Sequence, residues 1–305
     1  MNLRDLEYVV AVAEEGHFGH ASERCHVSQP ALSGQIKKLE EQLGVQLFER
    51  TNRRVSVTPI GADVVAKAKR LLLIAEEIED AAAVYADPLA GQLRLGMIPT
   101  IGPYLLPSIL RPLKAALPKV KLTLCEDVTQ SLERRLCSGD IDAAITATEI
   151  AETGLQEIVL YDEPFRVALP EGHALDTGKD IDIRKINGSE LLLLKDGHCL
   201  SDQVAHLCGL TRKANADGLD TQASSLETIV GLVAAGAGIT FLPSSALHED
   251  GTSRSGISMR KASNKAAQRR VRLIFRETYP KRQLLNEVAA VIGRHLPTGV
   301  AVVRS

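Results

Sequence analysis

The hydrophobic pattern of the chain changes once, near residue 91, and this change constrains the fold more strongly than any other feature. Before it, apolar residues recur at helical intervals of three and four. After it, short alternating apolar runs are separated by further helical segments. Asp87, Pro88 and Gly91 mark the boundary with residue types that favour turns and linkers. The 305 residues suffice for two or three domains, so we predict a helical N-terminal part followed by an α/β part.

Residues 1–58 have the pattern of a winged helix-turn-helix. Two helical segments are followed by a third, for which Ser28 is a good N-cap and Gly44 a typical C-terminal glycine. An arginine-rich turn then precedes the alternating Val55 and Val57, as in a basic wing. Any amphipathic helix has a polar free face, but the coincidence of these three features favours DNA binding. The candidate DNA contacts on this face and wing are Gln29, Ser33, Gln35, Lys37, Lys38, Arg50, Arg53 and Arg54.

Residues 59–87 predict one long helix that begins at Pro59. Its apolar positions alternate steps of four and three over about three heptads, as in a coiled coil. A helix packed on its own domain gives a similar pattern, but the linker signal at its end favours dimerisation. The predicted seam consists of Val64, Ala68, Leu71, Ala75, Ile78, Ala82 and Tyr85.

The remainder alternates strands and helices, which predicts two α/β subdomains with mostly parallel sheets. Thr100 and Thr129 follow the first two strands, at the edge where such folds bind ligands, although helix capping is an alternative role for both. We place the first subdomain at 91–163 and 268–305, and the second at 164–267. The predicted strands are 93–97, 120–124, 141–146, 165–169, 191–194, 239–242 and 271–275.

A helix-compatible run carries Cys199 and Cys208 at its two ends. Nine helical steps separate the sulfurs by roughly 13 Å, whereas a disulfide tolerates Cα separations only up to about 7 Å. The two cysteines therefore pair only if the intervening segment unwinds. Core packing and a redox switch are both compatible with this spacing. Zinc binding through His198, Cys199, His206 and Cys208 is a further alternative, but the spacing does not match zinc fingers.

Composition excludes several classes of function. The net charge of −2 gives no support for nucleic-acid binding by overall charge. The charged start at residues 1–5 and the absence of an apolar run of about 20 residues predict a cytoplasmic protein without signal peptide or membrane span. Its five cysteines are then expected to rest as thiols. Dinucleotide, phosphate-loop, serine-hydrolase and zinc-protease motifs are missing, so no cofactor, metal or enzymatic activity is predicted.

These residues together resemble the LysR-type transcriptional regulators along essentially the whole chain. The run Val27-Ser28-Gln29-Pro30-Ala31-Leu32-Ser33, within Phe18 to Lys38, resembles the DNA-reading motif of that family and adds Ser28 and Pro30 to the candidate DNA contacts. The segments 98–107, 196–199 with Cys208, 225–228 and 236–239 resemble its members that sense hydrogen peroxide. The resemblance implies an α/β protein with an N-terminal winged helix-turn-helix, a long linker helix and two subdomains of periplasmic-binding-protein-like type.

The resemblance also implies roles for single residues. Cys199 matches the thiol that peroxide attacks, and Cys208 matches the resolving thiol that forms a disulfide with it. Thr100, Thr129 and His198 match groups that hold the peroxide, and Arg270 matches a cation near the reactive sulfur. Ser201 departs from the family pattern, in which a basic residue is common, and this changes the expected tuning of the thiol. Cys125 and Cys137 match no sensor position.

The partners that the resemblance implies are promoter DNA, RNA polymerase, hydrogen peroxide as the signal, and glutaredoxin, glutathione or thioredoxin as the reductant. It implies a homodimer through the linker helix and a homotetramer. The main alternative is a LysR-type regulator that binds a small metabolite in the interdomain cleft. A thiol peroxidase would leave the DNA-reading segment unexplained, and a solute-binding protein of a transporter would require an export signal.

Overall fold

The computed structural model describes residues 1–51, 54–210, 223–246, 256–264 and 266–302. The chain forms two compact units, Met1–Ala86 and Asp87–Ser305. Among the helices in the described ranges, none has the length and apolar character needed to span a bilayer.

The first unit is a winged helix-turn-helix followed by a long helix, as predicted. Its elements are α1 (Leu3–Glu15), α2 (Phe18–Arg24), α3 (Gln29–Leu43), β1 (Phe48–Thr51), β2 (Arg54–Val57) and α4 (Pro59–Ala86). Ser28 caps α3, and Gly44 ends it with a left-handed φ of 71° that a residue with a Cβ adopts only at a cost. The sequence analysis missed the capping box at α1, where Asn2 and Asp5 satisfy each other's backbone N–H groups.

The predicted seam of α4 divides into two parts. Val64 packs against the core of the helix-turn-helix, and Ala68 is buried with Leu6 and Val10 of α1. These first positions therefore pack on their own domain, which contradicts the predicted seam there. Further along, Leu71 and Ile78 are exposed, and 67% of the surface of Ile78 is open. Among the seam positions whose side chains the structure describes, the exposed ones all follow Ala68.

The second unit is an α/β structure. Its elements are β3 (Gly91–Met97), α5 (Gly102–Ala116), β4 (Val120–Glu126), α6 (Thr129–Ser138), β5 (Ala143–Thr146), β6 (Leu155–Pro170), α7 (Cys199–Leu207), α8 (Leu226–Ala234), β7 (Thr240–Pro243), β8 (Ile257–Lys261), β9 (Gln268–Arg276), α9 (Arg282–Arg294) and β10 (Ala301–Val302). Short 3₁₀ turns lie at Ile183–Lys185, Gly188–Glu190 and Ser244–Ala246.

The sheet has the order β10-β6-β9-β5-β3-β4, with β7 and β8 paired to the far part of β6. β3 is parallel to β4 and β5, but β6 runs antiparallel to β7, β8, β9 and β10. The prediction of mostly parallel sheets is therefore wrong. The physical reason is that the 16-residue β6 runs through both halves, and β9 pairs back along it in the opposite direction.

β6 contributes to two hydrophobic clusters, which meet between Tyr161 and Phe165. One contains β3, β5, α5 and α9 together with Leu160 and Tyr161. The other contains apolar residues of α8 and β7 together with Phe165, Val167, Ala168 and Leu169. The predicted strand at 191–194 is reduced to a single bridge between Leu191 and Ile239. Leu191, Leu192 and Leu194 are buried, so burial rather than strand pairing explains that apolar run.

Candidate functional site

The helix α7 lies where the two clusters meet. It begins at Cys199, after a turn at Gly197 whose φ of 95° favours glycine, and Cys208 is its C-cap residue. Cys199 belongs to the cluster of β3 and β5, whereas Cys208 packs against the cluster of α8 and β7. Both thiols are free. The two sulfurs thus lie at opposite ends of one helix and in different hydrophobic environments.

A buried cation lies next to Cys199, and it is Arg269. Its guanidinium donates from Nε to Glu163 Oε2 at 2.7 Å, from Nη1 to Thr100 Oγ1 at 2.8 Å and from Nη2 to the Thr100 carbonyl at 2.8 Å. Both charged side chains are 0% exposed. A buried pair with this many hydrogen bonds holds its geometry rigidly, because either charge alone would be strongly disfavoured there.

The prediction that Arg270 is the cation near the sulfur is wrong. Its side chain is 45% exposed and pairs with Asp162 at 2.8 Å. In a strand, successive side chains point to opposite faces, so Arg269 shares its face with the buried Val271 and Leu273. The sequence shows this alternation, and it would have predicted that Arg269, and not Arg270, points into the protein. Glu163, which the sequence analysis also missed, is the register partner of Arg269 on β6.

The pKa of the Cys199 thiol is raised, because burial disfavours the thiolate. Arg269, the hydroxyl of Thr129 and the backbone N–H of Leu200 at the start of α7 oppose this effect without overcoming it. Burial also raises the pKa of Cys208. The resting site therefore holds protonated thiols, and the three opposing groups are positioned to stabilise negative charge that develops on the Cys199 sulfur.

Thr100 and Thr129 reach this site from two different strand ends. The Thr100 hydroxyl accepts from Arg269, and α5 begins without a side-chain cap, so the capping alternative fails for Thr100. Thr129 opens α6, which also lacks a side-chain cap. Its buried hydroxyl has no hydrogen-bond partner of good geometry in the described part of the chain, yet it lies close enough to Cys199 to favour the thiolate.

His198 precedes Cys199 and is buried. Its pKa is lowered, because burial and then the charge of Lys195 disfavour the imidazolium. The side chain makes no capping bond to α7. A neutral imidazole on the residue before Cys199 can exchange hydrogen bonds with a small polar molecule without adding charge.

Two hydrogen bonds hold the first turns of α7. The buried Ser201 hydroxyl donates to the Leu194 carbonyl at 2.8 Å, and Gln203 Nε2 donates to the Ala147 carbonyl at 2.6 Å. Ser201 faces the protein interior, so its role in this chain is to fix the helix to the preceding segment. Its effect on the thiol is therefore exerted through the position of α7.

The remaining cysteines lie elsewhere. Cys25 packs in the helix-turn-helix, Cys125 is half-buried in β4 and Cys137 is exposed in α6. Within the ranges described above, no three His, Cys, Asp or Glu residues come together as a metal site. The set of His198, Cys199, His206 and Cys208 spans the two ends of α7 and does not converge.

On the helix-turn-helix, most predicted DNA contacts lie on the free face of α3. Ser28, Gln29, Pro30, Lys37 and Lys38 are exposed, and Ser33 is half-buried. Gln35 differs, because its Nε2 donates to the buried Asp5 at 2.7 Å and so braces α3 against α1. The prediction that Gln35 lies on the exposed face of α3 is therefore wrong. Arg50 and Arg54 lie in the paired strands of the wing, and Arg53 lies outside the described residues.

Two family profiles match this architecture. Residues 3–62 match the bacterial regulatory helix-turn-helix protein, lysR family, and residues 86–297 match the LysR substrate binding domain. The second match alone covers more than half of the chain.

Relatives and solved structures agree with both profiles. The hydrogen peroxide-inducible genes activator of Dickeya chrysanthemi is 40% identical over 298 residues, covering 97% of this chain and 96% of that protein. The DNA-binding transcriptional dual regulator OxyR of Escherichia coli K12 is 40% identical over 294 residues, covering 96% of this chain and 95% of that protein.

Among solved structures, a full-length cysteine-to-aspartate variant of OxyR from Pseudomonas aeruginosa superposes with a TM-score of 0.79 at 38% identity, covering 98% of this chain and 99% of that one. A hydrogen peroxide-bound cysteine mutant of OxyR from Corynebacterium glutamicum gives 0.65 at 36% identity, covering 96% and 92%. The chain therefore belongs to the LysR family of helix-turn-helix transcriptional regulators, among its OxyR members, and not to a family of enzymes.

Proposed function

We propose that this protein is a transcriptional activator that senses hydrogen peroxide through Cys199 and Cys208. The observation that carries the proposal is the position of Cys199, buried beside Arg269, Thr100 and Thr129 at the first residue of a helix whose far end is capped by Cys208. The name of the Dickeya chrysanthemi relative and the peroxide-bound state of the Corynebacterium glutamicum structure support it.

The first step is the oxidation of Cys199. Its thiolate attacks one peroxide oxygen, the O–O bond breaks, and the leaving hydroxide takes a proton to form water, so that the products are a sulfenic acid and water. Arg269 stabilises the negative charge on sulfur and on the departing oxygen, while Thr100, Thr129 and His198 hold the peroxide. Because the thiol is protonated at rest, its proton must leave as the peroxide reacts, and it ends in the water that forms.

The second step is disulfide formation. The Cys208 thiol attacks the sulfenic sulfur, an S–S bond forms and a second water leaves. An intact α7 separates the two Cα atoms by roughly 13 Å, so the helix must unwind for this step. The disulfide then stabilises the unwound segment and repositions the subdomains, which we assign to 91–163 with 268–305 and to 164–267. Two glutathione thiols, or a glutaredoxin or thioredoxin dithiol, restore both cysteines and become the oxidised disulfide.

The output of the switch is on DNA. We infer that α3 reads promoter DNA through Gln29, Pro30 and Ser33, with Ser28, Lys37, Lys38 and the wing arginines Arg50, Arg53 and Arg54 positioning it. The exposed apolar positions of α4 join two copies, and a homotetramer spans the two half-sites. The protein then acts in the cytoplasm through contact with RNA polymerase.

Mass spectrometry of the full chain treated with hydrogen peroxide tests the redox chemistry. We expect a linked pair of peptides containing Cys199 and Cys208, lighter by two hydrogens than the reduced pair. Cys199→Ser should abolish both the link and the peroxide-induced promoter activation, and Cys208→Ser should stop at a sulfenic acid. Cys137→Ser is the matched control, because Cys137 is exposed and lies outside this site. A reduced Cys199 after treatment, or activation that survives Cys199→Ser, contradicts the proposal.

A second candidate function is the sensing of a small metabolite in the cleft. It is favoured by buried polar atoms without hydrogen-bond partners in the described ranges, namely Thr146 Oγ1, Thr148 Oγ1 and Gln203 Oε1. Gln203 lies one helical turn after Cys199, on the same side of α7. A parent chain whose cysteines stay reduced and whose promoter activity does not change with peroxide would favour the metabolite. A peroxide response that Cys199→Ser abolishes favours the cysteine switch.

A further inference from the structure

A groove that the redox switch does not use lies where β6, β8 and the start of β9 meet. Its volume is about 530 Å³, and its polar lining consists of Arg166, Lys261, Asn264 and Gln268. Pro164 and Gln268 are register partners, directly beside the partners Glu163 and Arg269. The groove is therefore built on the same two strands that carry the buried ion pair, one register position further along.

Two cations lie side by side in the lining of this groove. Arg166 of β6 and Lys261 of β8 are directly opposite in the antiparallel register. Like charges at opposed positions destabilise a sheet, unless a negative group lies between them. Neither side chain forms an ion pair with any carboxylate in the part of the chain that the structure describes.

The guanidinium of Arg166 is incompletely satisfied. Its Nε is buried and has no hydrogen-bond partner within the described ranges. Buried donors of this kind are normally paired. Because the Arg166 side chain lines the groove, an acceptor bound there would complete the hydrogen bonds of its guanidinium. Among the described residues that line the groove there is no carboxylate that could take this position.

The carboxamides complete a set of donors. Asn264 Oδ1 accepts from the Ala266 N–H at 2.9 Å, which leaves the Asn264 amide nitrogen as a donor. Gln268 adds a second exposed carboxamide. A guanidinium, an ammonium and amide N–H groups are the donors that bind phosphate oxygens, and the guanidinium fork does so with two parallel bonds.

We propose that this groove binds a small organic phosphate through Arg166 and Lys261. The cavity of about 530 Å³ falls in the range of sites for small organic molecules and exceeds the need of a bare ion, so the ligand carries an organic group beside the phosphate. Binding there links β6 and β8 at the point where β6 passes from one hydrophobic cluster to the other.

Isothermal titration of the reduced full chain with ribose 5-phosphate, with chloride balanced to constant ionic strength, tests this site. We expect saturable binding with one ligand per chain, and no binding of ribose. Arg166→Gln should weaken the affinity about tenfold or more, because it removes a charge-assisted pair. Lys261→Gln should weaken it by a smaller factor, because an exposed ammonium is a point charge in water.

Arg184→Gln is the matched control, because Arg184 is an exposed cation of the same unit that pairs with Asp182 and is not among the residues given for the groove. Its affinity should equal that of the parent chain. Far-UV circular dichroism checks that each variant is folded. Lys261 is exposed, so its variant keeps the test decisive if Arg166→Gln misfolds. Absence of saturable binding, or equal affinities in the parent chain and the Lys261→Gln variant, overturns the proposal.

Discussion

Two ion pairs that are adjacent in the sequence provide a controlled test of the buried cation. Glu163 pairs with Arg269, and both side chains are 0% exposed, whereas the neighbouring Asp162 pairs with Arg270 at the surface. Removing one partner of a buried pair leaves an uncompensated charge and costs about 3–5 kcal/mol. Removing one partner of an exposed pair costs about 1 kcal/mol or less. Glu163→Gln should therefore lose several times more stability than Asp162→Asn.

The assay is urea unfolding of the reduced chain followed by far-UV circular dichroism, since the protein contains no tryptophan. For an m-value near 3 kcal/mol/M, the midpoint of Glu163→Gln should fall by about 1 M or more, and that of Asp162→Asn by about 0.3 M or less. A double variant with glutamine at both 163 and 269 should recover part of the loss, because neither charge remains. Equal midpoints for the two single variants would show that Arg269 does not depend on Glu163, and would refute the reasoning.

The same variant tests the electrostatics of the thiol. The negative charge of Glu163 partly cancels that of Arg269, so its removal increases the positive potential at Cys199. The pKa of the Cys199 thiol should then fall, and the reaction with peroxide at neutral pH should become faster although the fold is less stable. Arg269→Gln should slow that reaction, while Arg270→Gln should leave it unchanged, because its guanidinium is exposed and paired with Asp162.

Three further outcomes follow from the same geometry. Because burial raises the pKa of Cys199, the thiolate fraction grows with pH, and the rate of Cys199 oxidation should rise about tenfold per unit between about pH 6 and 8; a plateau in stopped-flow data below pH 8 would contradict this. Ser201→Ala leaves the buried Leu194 carbonyl without its donor, which should lower the stability of the reduced protein by about 1–3 kcal/mol and accelerate disulfide formation. Ser189→Ala, in an exposed turn, should not change that rate, and quenched-flow alkylation of the thiols measures it in both variants. Ile78→Asp places a charge on the exposed end of the α4 seam and should shift the chain toward monomer in sedimentation velocity, while Lys67→Asp, on the polar side, should not.

The local parts of this architecture could be predicted from the sequence. Ser28 and Gly44 mark the ends of α3, and the run from Cys199 to Leu207 has helical spacing, so local rules sufficed for both helices. The pairing of β6 with β9 joins Glu163 to Arg269 across 106 residues, and no local pattern encodes such a contact. The alternation of side chains along the strand nevertheless predicts that Arg269 points into the protein. Arg270 was predicted from the family resemblance, whereas the two-residue period of the strand favours Arg269.

The prediction that the first seam positions of α4 face a second copy was wrong for a related reason. Its heptad spacing is real, but a helix has one apolar stripe whether it faces its own domain or a second copy. The capping box fixes the start of α1, and Leu6 and Val10 of α1 pack against Ala68. The periodicity alone had placed Ala68 in a dimer interface. Only the tertiary contacts of α1 distinguish the exposed later positions, such as Ile78, from the buried Ala68.

The sensitivity of the proposed switch depends on packing more than on the acidity of the thiol. A nine-residue helix is marginal in isolation, so α7 persists because Cys199, Leu200 and Val204 are buried and because two hydrogen bonds fix its first turns. Oxidation of Cys199 places a larger and more polar group in that buried position, where it competes with the contacts that hold the helix. Because Cys199 and Cys208 pack in different clusters, each stabilises the helical state and neither brings the sulfurs together. The free energy of unwinding α7 therefore sets how much oxidation is needed before the disulfide forms.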